Sequence, residues 1–583
     1  MAANGNSQVT VEGHAEVAVL LIDNPPVNAL SDALRCELMQ ALDEVQANGT
    51  FRAAVIACAG RTFIVGADIT QFGTRREIPT YRLAARIADM PIPMVAALHG
   101  TTLGGGLEVA LGCHARVMAS DGFVGLPEVR IGLIASGGGT QRLTRLAGPL
   151  VALDLISTGR QVQADEALRL GLVDVVADDV RAAAIRHARQ LAVTGERRRI
   201  ADRSFDASEV AEFKVRAQQA RTRAGGALAM CCGIDAIEFA LSHTLDEGVA
   251  LEQRLSVETH ASPQSHAMRY LFNAERLAVN LPTEERPPAI RRVMVVGRSD
   301  AAQHWVDAIR RAGLAAQGMS VPALAGAAPD CDLIILCQDA VEGLEGVGCV
   351  LRQSDKPPVV ALALPLGTAA PAQHPDNIAP VLLRYAEPFT QHRLLQIEPG
   401  DGASAGLLAS LLRFGRNIGR AAICTETGAE VVAGRMVAAG RQVLGSARRR
   451  GAAESELAAL ERYCGLLTVQ SMSSAAGAWP VSGDTARHVL AVMVNEGARI
   501  LSEGRVAHAA LIDLILVHAC GYPAWRGGPM YEADAMGAAQ LLEALGEVKA
   551  LHGDLGSPAD ALLLRLADEG GLFRDFRRVE SVR

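Results

Sequence analysis

A glycine cluster and two glutamates form the part of this sequence that is best equipped for chemistry. Gly104-Gly105-Gly106 follows a strand-like run and opens a helical segment that contains Glu108. Because glycine lets backbone approach a ligand closely, and because free N–H groups at the start of a helix attract negative charge, this segment could bind an oxygen that develops negative charge. Glu128 follows another short apolar run and is the second candidate carboxylate.

Each of these features also has an ordinary structural explanation. A glycine triplet before a helix is often only a tight turn. Glu108, in a first helical turn, could merely complement the helix dipole. An isolated Glu128 would more often be a solvated loop carboxylate than a catalytic one. Taken singly, these residues leave both interpretations open, so the surrounding sequence has to decide between them.

The segments that must position these residues alternate between strand and helix patterns. Val17–Ile22, residues 53–59 and Met94–Leu98 are short apolar runs typical of buried strands. Residues 31–46 have the apolar spacing of a helix, with Ser31 as the expected N-cap. This alternation predicts a mostly parallel sheet that is covered by helices.

Further motifs occur in a fixed order around the two glutamates. A GGGxE motif ends at Glu108, a PE motif places Glu128 20 residues later, and GGTQRL follows at 138–143. A GADI loop occupies 66–69 upstream, and a GLVDVV stretch occupies 171–176 downstream. Together these motifs resemble the enoyl-CoA hydratase/isomerase (crotonase) family. The resemblance implies an α/β N-terminal domain with the spiral ββα crotonase core.

The resemblance implies an oxyanion-binding site for a thioester carbonyl. In the family, two backbone N–H groups hold that oxygen, and they correspond to Ala67 and Gly105 here. The flanking residues of both loops are expected to line the substrate site: Gly66, Asp68, Gly104 and Gly106. The substrate would carry coenzyme A, and neither a cofactor nor a metal ion is expected.

The resemblance also divides the addition of water to a C2=C3 double bond between the glutamates. Glu108 would activate the water for attack at C3, and Glu128 would deliver a proton to C2. These tasks need different protonation states, so Glu128 should occupy the drier environment. In the family, hydration uses both glutamates, whereas Δ3-Δ2 isomerisation needs chiefly the second. The sequence therefore predicts an enoyl-CoA hydratase of fatty-acid β-oxidation, with isomerisation as a possible side activity.

The second half resembles bifunctional enoyl-CoA hydratase/3-hydroxyacyl-CoA dehydrogenases, the multifunctional enzymes of fatty-acid oxidation, beginning with a linker helix at 266–276. The resemblance implies a degenerate Rossmann-like α/β domain followed by all-α C-terminal domains. The expected boundaries are 1–200 for the crotonase core, 201–288 for a helical extension and linker helix, 289–423 for the dinucleotide-binding-like domain, 424–482 for a shortened dehydrogenase helical domain and 483–583 for a second helical domain.

The expected dinucleotide-binding turn has lost most of its fingerprint. A GxGxxG turn should follow the first strand of this domain, but only Gly297 remains, with Ser299 and Ala302 at the later glycine positions. Ser320 occupies the position of the acidic residue that contacts the ribose. The carboxylate of Asp300 would also be unfavourable beside a pyrophosphate. NAD is therefore not expected to bind.

The catalytic positions of the dehydrogenase have changed as well. Arg384 stands where the family has its histidine base, and Gln396 stands where a glutamate orients that base. Arginine stays protonated near neutral pH and cannot act as a base. The family's substrate-binding Asn-Arg pair is replaced by Gly434-Arg435. His392 lies nearby in sequence and is the alternative candidate for a base.

Two alternatives remain beside a hydratase with a silent second half. One is a bifunctional hydratase/dehydrogenase with an atypical NAD site, which the altered turn and the missing histidine–glutamate pair oppose. The other is a non-catalytic acyl-CoA-binding scaffold protein. Binding alone would not require both glutamates, so their presence opposes this alternative.

Composition argues against several other classes. The net charge of −8 disfavours nucleic-acid binding, and no uncharged apolar stretch is long enough to span a membrane. The eleven cysteines have neither CxxC nor zinc-ligand spacing, which fits a reduced cytosol and no metal site. Arginine far outnumbers lysine, a bias typical of GC-rich bacterial genomes. We therefore expect a bacterial cytoplasmic protein.

Assembly and targeting are expectations of the same kind. The bifunctional relatives carry extra helices that replace a neighbouring crotonase subunit, so the resemblance implies a monomer. Association with a separate dehydrogenase or thiolase stays open. The first residues lack the basic and apolar regions of a signal peptide, and Ser581-Val582-Arg583 is not a peroxisomal address.

Overall fold

In a computed structural model of the chain, backbone contacts define two compact units, Met1–His266 and Ala267–Arg583. The finer division into domains that the sequence suggests stays a prediction. The structure describes residues 7–67, 77–203, 205–281, 283, 285, 287–324, 330–343, 357–369, 380–390, 392–400, 403–425, 429–466 and 483–576.

Two sheets form the centre of the first unit. Their strands are β1 Val9–His14, β2 Val17–Ile22, β3 Ala53–Cys58, β4 Met94–Leu98, β5 Thr101–Leu103, β6 Ala115–Met118, β7 Phe123–Gly125, β8 Gln161–Gln163 and β9 Val175–Val176. The larger sheet has the order β1-β2-β3-β4-β6-β9 and is parallel except for β1. The smaller sheet has the order β5-β7-β8. The predicted mostly parallel sheet is present.

Helices cover both faces of the larger sheet. They are α1 Asp32–Ala47, α2 Thr80–Ala88, α3 Gly105–Gly112, α4 Gly139–Ala147, α5 Pro149–Thr158, α6 Ala164–Arg169, α7 Val180–Thr194, α8 Ala207–Ala224, α9 Leu228–Ala240, α10 Leu245–Ala261 and α11 Pro263–Ala278, which continues into the second unit. Alternate strand residues enter opposite cores, as Ala54 and Val55 do. The expected N-cap is present, because the Ser31 hydroxyl accepts from Leu34 N at 3.1 Å.

The helices after the sheet are part of the first unit's core. α8 and α9 pack against α5, and α10 packs against α4 and α9. Phe213 of α8 and Ile237 of α9 are fully buried in the main apolar cluster. These contacts bring α10 to the beginning of α4, where the GGTQRL motif starts.

A seven-stranded sheet begins the second unit. Its strands are β10 Arg292–Val296, β11 Ala315–Met319, β12 Leu333–Cys337, β13 Val359–Pro365, β14 Val381–Tyr385, β15 Leu394–Glu398 and β16 Ala421–Cys424. The order is β11-β10-β12-β13-β14-β15-β16, with every pair parallel except β14–β15. The α/β character is thus present, while its origin in a dinucleotide-binding domain stays a prediction.

The remainder of the second unit is helical. Its helices are α12 Asp300–Arg311, α13 Val321–Leu324, α14 Ala405–Asn417, α15 Ala429–Arg449, α16 Glu454–Tyr463, α17 Asp484–Ser502, α18 Ala509–Cys520, α19 Pro529–Met536, α20 Ala538–His552 and α21 Ala561–Glu569. The sequence pattern over residues 421–439 predicts a helix, and the first part of this prediction is wrong. Those residues form β16, which pairs with β15 and buries Ile423 completely.

Within the described residues, no helix is both long and apolar enough to cross a membrane. The same part of the chain contains no cluster of three or more His, Cys, Asp or Glu side chains that could hold a metal ion.

Candidate active site

The turn between β5 and α3 carries the first part of the candidate site. Gly104 is the N-cap of α3 and has a φ of 54°, a left-handed conformation that favours glycine. Its N–H donates to the Gly125 carbonyl oxygen at 2.9 Å, which ties the turn to β7. A Cβ at Gly104 would lie 2.7 Å from Oε1 of Glu128. Glycine here therefore forms the turn and leaves room for the second glutamate.

The two predicted oxyanion donors lie on adjacent loops. A parallel bridge pairs Leu30 with Ala67, and the Leu30 N–H donates to the Gly66 carbonyl oxygen at 2.9 Å. A Cβ at Gly105 would lie 3.7 Å from Ala67 N, so the backbones of the two donors are close together. Gly105 opens α3, and the first N–H groups of a helix have no acceptor within that helix. This arrangement is suited to an oxyanion.

The other residues expected at the substrate site have varied surroundings. Gly66 has a φ of 72° and faces the Leu103 carbonyl oxygen. Gly106 packs so tightly on Ile64 that a Cβ would come within 2.0 Å of its carbonyl oxygen, which gives this glycine a packing role. Asp68 lies outside the described residues. Their part in substrate binding stays a prediction.

Glu108 is buried, with only 4% of the residue exposed. Its Oε1 accepts hydrogen bonds from Gly137 N at 2.5 Å and from Gly139 N at 3.0 Å, at the beginning of α4. Such bonds favour the ionised carboxylate. A Cβ at either glycine would come within 2.6 Å of the Glu108 carboxylate oxygens. Because Gly137 and Gly139 have no side chain, their backbone N–H groups can come close enough to bond the Glu108 carboxylate.

Glu128 has the opposite environment. It lies on the short 3-10 helix Pro127–Ile131. The residue as a whole is half-buried, but its Oε2 atom is buried and has no hydrogen-bond partner among the described groups. Burial, reinforced by the negative charge of Glu108, raises the pKa of Glu128 to about 8. At neutral pH, Glu128 is therefore suited to donate a proton.

Sequence reasoning missed a third carboxylate beside these two. Glu252 of α10 is completely buried and accepts hydrogen bonds from Gly138 N and Thr140 N. It belongs to no motif, and it reaches the site only because α10 folds back on α4. One local indication existed, because Glu252 shares the buried face of α10 with Gly248 and Thr259.

In the second unit, the turn after β10 is occupied by the chain's own carboxylate. Asp339 accepts from the backbone N–H groups of Arg298 at 2.6 Å and Ser299 at 3.1 Å, and from the Ser299 hydroxyl at 2.8 Å. A Cβ at Gly297 would lie 2.9 Å from Asp339 Oδ1. Ala302 is buried in α12, which Ser299 caps. Sequence analysis did not single out Asp339.

Arg384 and Gln396, the positions of the expected dyad, are direct cross-strand partners of β14 and β15. Arg384 Nε donates to Glu398 at 2.7 Å and its guanidinium donates to the Thr368 carbonyl oxygen at 2.6 Å, while Gln396 donates to Glu398 at 2.9 Å. Arg384 and Gln396 are therefore neighbours, as the resemblance implies for this dyad. Instead of a base and its partner, they form an arginine–glutamate ion pair and an amide that bonds the same glutamate. Ser320 lies between β11 and α13, where its carbonyl oxygen accepts from Ala323 N.

The remaining dehydrogenase positions are likewise held in the second unit. Arg435 donates to Glu496 at 2.6 Å and to Glu503 at 2.6 and 2.9 Å, and the adjacent Gly434 is exposed. His392, the alternative base, is buried, and burial lowers its pKa. Its Nε2 has no hydrogen-bond partner within the described part of the chain.

Comparison with known proteins agrees with the geometry of the first unit. A family model described as enoyl-CoA hydratase/isomerase matches residues 12–224. These residues form a crotonase domain. The match contains both glutamates and both candidate oxyanion donors, whereas Glu252 lies beyond it.

The relatives of this crotonase domain include bifunctional and single-function proteins. The peroxisomal bifunctional enzymes of Pongo abelii and Homo sapiens are 38% and 36% identical over 271 residues, which are 46% of this chain and 38% of each relative. The matched region thus spans well under half the length of those proteins. A probable enoyl-CoA hydratase of Bacillus subtilis (strain 168) is 44% identical over 171 residues, which are 28% of this chain and 66% of that protein.

Solved structures similar to the chain include carnitinyl-CoA hydratase from Mycobacterium avium. It is 27% identical, with a TM-score of 0.35, and the match covers 46% of this chain and 96% of that one. An enoyl-CoA hydratase from Mycobacterium tuberculosis H37Rv is 26% identical, with a TM-score of 0.31, and the match covers 46% and 97%.

Proposed function

We propose that the crotonase domain adds water across the C2=C3 double bond of a 2-enoyl-CoA to give a 3-hydroxyacyl-CoA in fatty-acid β-oxidation. The observation that carries this proposal is the contrast between two neighbouring carboxyl groups. Glu108 accepts two backbone hydrogen bonds, whereas burial raises the pKa of Glu128 to about 8. One acid and one base are what the addition of water to a conjugated thioester requires.

Each group would have one task in this reaction. Glu108 takes a proton from water as the water oxygen forms its bond to C3. The π electrons move toward the thioester carbonyl, whose negative oxygen is held by the N–H groups of Ala67 and Gly105. Glu128 gives its proton to C2, and the C–O double bond of the thioester re-forms. A proton shift from Glu108 to Glu128 then restores the starting state.

Isomerisation of a Δ3 double bond to Δ2 is the smaller activity that we propose for the same site. It needs one group that removes a proton from C2 and returns it to C4, without addition of water. Glu128 is the candidate because its Oε2 has no hydrogen-bond partner among the described groups and would be available to the substrate carbon. Only its ionised form can remove the proton, and with a pKa of about 8 that form is the minority at neutral pH, so this activity should be the smaller one. A 3-enoyl-CoA substrate tests this activity separately from hydration.

We also propose that the second unit has no dehydrogenase activity and does not bind NAD. The turn that would hold the pyrophosphate donates to Asp339 instead, so a second anion would meet like charge there. The expected base is Arg384, which pairs with Glu398. These residues do not fit the cofactor or the hydride-transfer step. A monomeric state and a bacterial cytoplasmic location complete the proposal and rest on composition and resemblance.

The test is a direct assay of the purified chain with crotonyl-CoA and a longer 2-enoyl-CoA, with and without NAD. We expect loss of the enoyl absorbance and no NADH. Glu108→Gln and Glu128→Gln should each lower kcat by about a hundredfold to ten-thousandfold, as loss of an acid or base does. Glu258→Gln, an exposed glutamate on α10, is the matched control and should behave as wild type.

The outcomes separate the proposal from both alternatives. NADH production without added dehydrogenase would establish a bifunctional enzyme with an atypical NAD site. Absence of hydration, with CoA thioesters still bound in calorimetry, would favour the non-catalytic acyl-CoA-binding scaffold protein. Wild-type rates in either glutamate variant would contradict the assigned roles while leaving the fold in place.

A further inference from the structure

The backbone N–H groups of loop 137–140 alternate between two buried carboxylates. The first and third groups donate to Glu108 at 2.5 and 3.0 Å. The second and fourth donate to Glu252 at 2.7 and 2.9 Å. This alternation passes through Gly138, whose φ of 90° is in the left-handed region that favours glycine. The two carboxylates therefore share one rigid stretch of backbone.

Glu252 is held more completely than a simple helix cap requires. Beyond the two N–H groups, its Oε1 accepts from the Thr140 hydroxyl at 2.5 Å, and none of the residue is exposed. Burial of a carboxylate is costly unless it is hydrogen-bonded and paired. An apolar residue in the same place would avoid this cost but would leave the donors of Gly138 and Thr140 without an acceptor, so the carboxylate is what fixes this loop. The position therefore calls for an explanation beyond packing.

We propose that Glu252 is a positioning residue for hydration, because it holds loop 137–140 in the shape that orients Glu108 toward the water. The inference rests on the proposed hydratase function. Glu252 touches neither water nor substrate in this scheme. It acts by fixing the N–H groups of Gly138 and Thr140, which alternate along the backbone with the two donors to Glu108, so that the base keeps one direction throughout the reaction.

Electrostatics connects Glu252 to the same site. The charged groups that face it are Glu108 from α3, Arg142 from α4 and Glu128 from the 3-10 helix. Burial and the charge of Glu108 raise the pKa of Glu252 to about 8, while Arg142 opposes that rise. Glu252 and Glu128 therefore ionise over the same pH range, and where Glu252 is ionised its negative charge contributes to the raised pKa of Glu128. A change at Glu252 should therefore reach the proton donor as well as the base.

The test is Glu252→Gln in the full chain, with kcat, KM and the pH profile of hydration measured. The amide nitrogen of glutamine would face an N–H group where a carboxylate oxygen now accepts, so loop 137–140 should shift. We expect kcat to fall about tenfold to hundredfold, as a misplaced catalytic group costs, with KM changed less than about threefold. The basic limb of the profile should move to lower pH, because Glu128 would lose a neighbour that becomes negatively charged in that same pH range. Glu258→Gln is again the control.

A second variant keeps the test decisive if Glu252→Gln does not fold. Thr140→Val removes the hydroxyl donor and retains the N–H donor, so it should lower kcat severalfold at unchanged KM. If Glu252→Gln folds and its kcat is unchanged, the inference is overturned. If Glu252→Gln does not fold, an unchanged kcat in Thr140→Val overturns it. A lower kcat in Glu252→Gln with an unmoved basic limb also overturns it, because a purely structural cap predicts that result. An inactive wild-type protein would instead overturn the proposed function, and this inference with it.

Discussion

Two turns that precede helices, one in each unit, both donate backbone hydrogen bonds to a carboxylate of the chain, but the polar groups around them differ. In the crotonase domain, loop 137–140 holds Glu108, while Oε2 of nearby Glu128 is buried with no hydrogen-bond partner in the described structure. In the second unit, the turn after β10 donates to Asp339, and Arg384 pairs with Glu398. The first region contains a polar atom available to a ligand, whereas the second satisfies its polar groups internally.

This difference shows how a functional site can be distinguished from a purely structural region when both are built from a parallel strand, a turn and a helix. Folding favours satisfied polar groups, so a buried carboxyl oxygen without a partner is retained at a cost in stability and points to function. A mutually satisfied set gives no such indication. A parallel sheet followed by a helix is common to both units, and it is the state of the polar groups around loop 137–140 and around the turn after β10 that distinguishes these two regions.

The largest expected effect comes from breaking the internally satisfied set of the second unit. Arg384→Leu removes the positive partner of Glu398, whose side chain is only 19% exposed. A buried charge left without its partner is strongly unfavourable, so the free energy of unfolding should fall by about 3 kcal/mol. Urea unfolding of the full chain measures this loss. The rate of hydration by the crotonase domain should stay at the wild-type value.

A double variant sharpens this prediction. Glu398→Gln in the Arg384→Leu background removes the stranded charge but keeps an oxygen that can accept from Gln396. Stability should then recover by more than half of the loss. If the double variant is no more stable than Arg384→Leu, packing rather than charge pairing stabilises these two strands. The second unit would then not differ from the crotonase domain in the pairing of its polar groups.

The parts of this comparison that local sequence predicted are those in which neighbouring residues act together. The strand Val17–Ile22 and the Ser31 cap are predicted from runs of a few residues, and both are present. Glu108 and Glu128 were found through spaced motifs, and the turn at Gly104 brings them together. In these cases the residues that identify an element in the sequence are the same residues whose local interactions form it.

The parts that sequence reasoning missed depend on contacts between distant residues. Glu252 and Asp339 belong to no motif, and each became visible only where another element presents N–H groups to it. Residues 421–424 fit a helical pattern, yet pairing with β15 and burial of Ile423 make them a strand. Tertiary contacts outweigh local preference in such positions.

The next largest effect concerns the carboxyl group of Glu128 and has the opposite sign. Because the folded protein raises the pKa of Glu128 from 4.5 to about 8, the folded state keeps a proton that the unfolded chain loses between these values. Stability therefore falls as pH rises from 4.5 toward 8. The full pKa shift corresponds to about 4 kcal/mol at pH 8. Because the residue is only half-buried, solvent should reduce this, so Glu128→Gln should be more stable than wild type by on the order of 2 kcal/mol at pH 8 and equal to it at pH 4.

Urea unfolding at several pH values checks this sign, with Glu258→Gln as the exposed control. A stabilised but inactive Glu128→Gln would show that the crotonase domain retains this carboxyl group for function at the expense of stability. A variant that is less stable than wild type at pH 8 would mean that Glu128 has a stabilising partner in the folded chain, and the two regions would then no longer differ.

The smallest expected effect is that of Asp339→Ala. Burial opposes ionisation of Asp339, but hydrogen bonds from Arg298 N–H and Ser299 outweigh it and lower the pKa below its ordinary value of 3.8. The stabilisation is therefore complete above that pH and is lost as pH falls through the lowered pKa. Because Asp339 is exposed, its removal should cost only about 0.5–1 kcal/mol at pH 7, comparable to loss of a helix cap. Unfolding measured from pH 7 down to pH 3 follows this loss, and the difference from wild type should be constant above pH 3.8 and should shrink as the pH falls below it. An Asp339→Ala variant that is more stable than wild type at pH 7 would show that the turn keeps an unpaired charge, as the crotonase domain does, and would place a second functional site there.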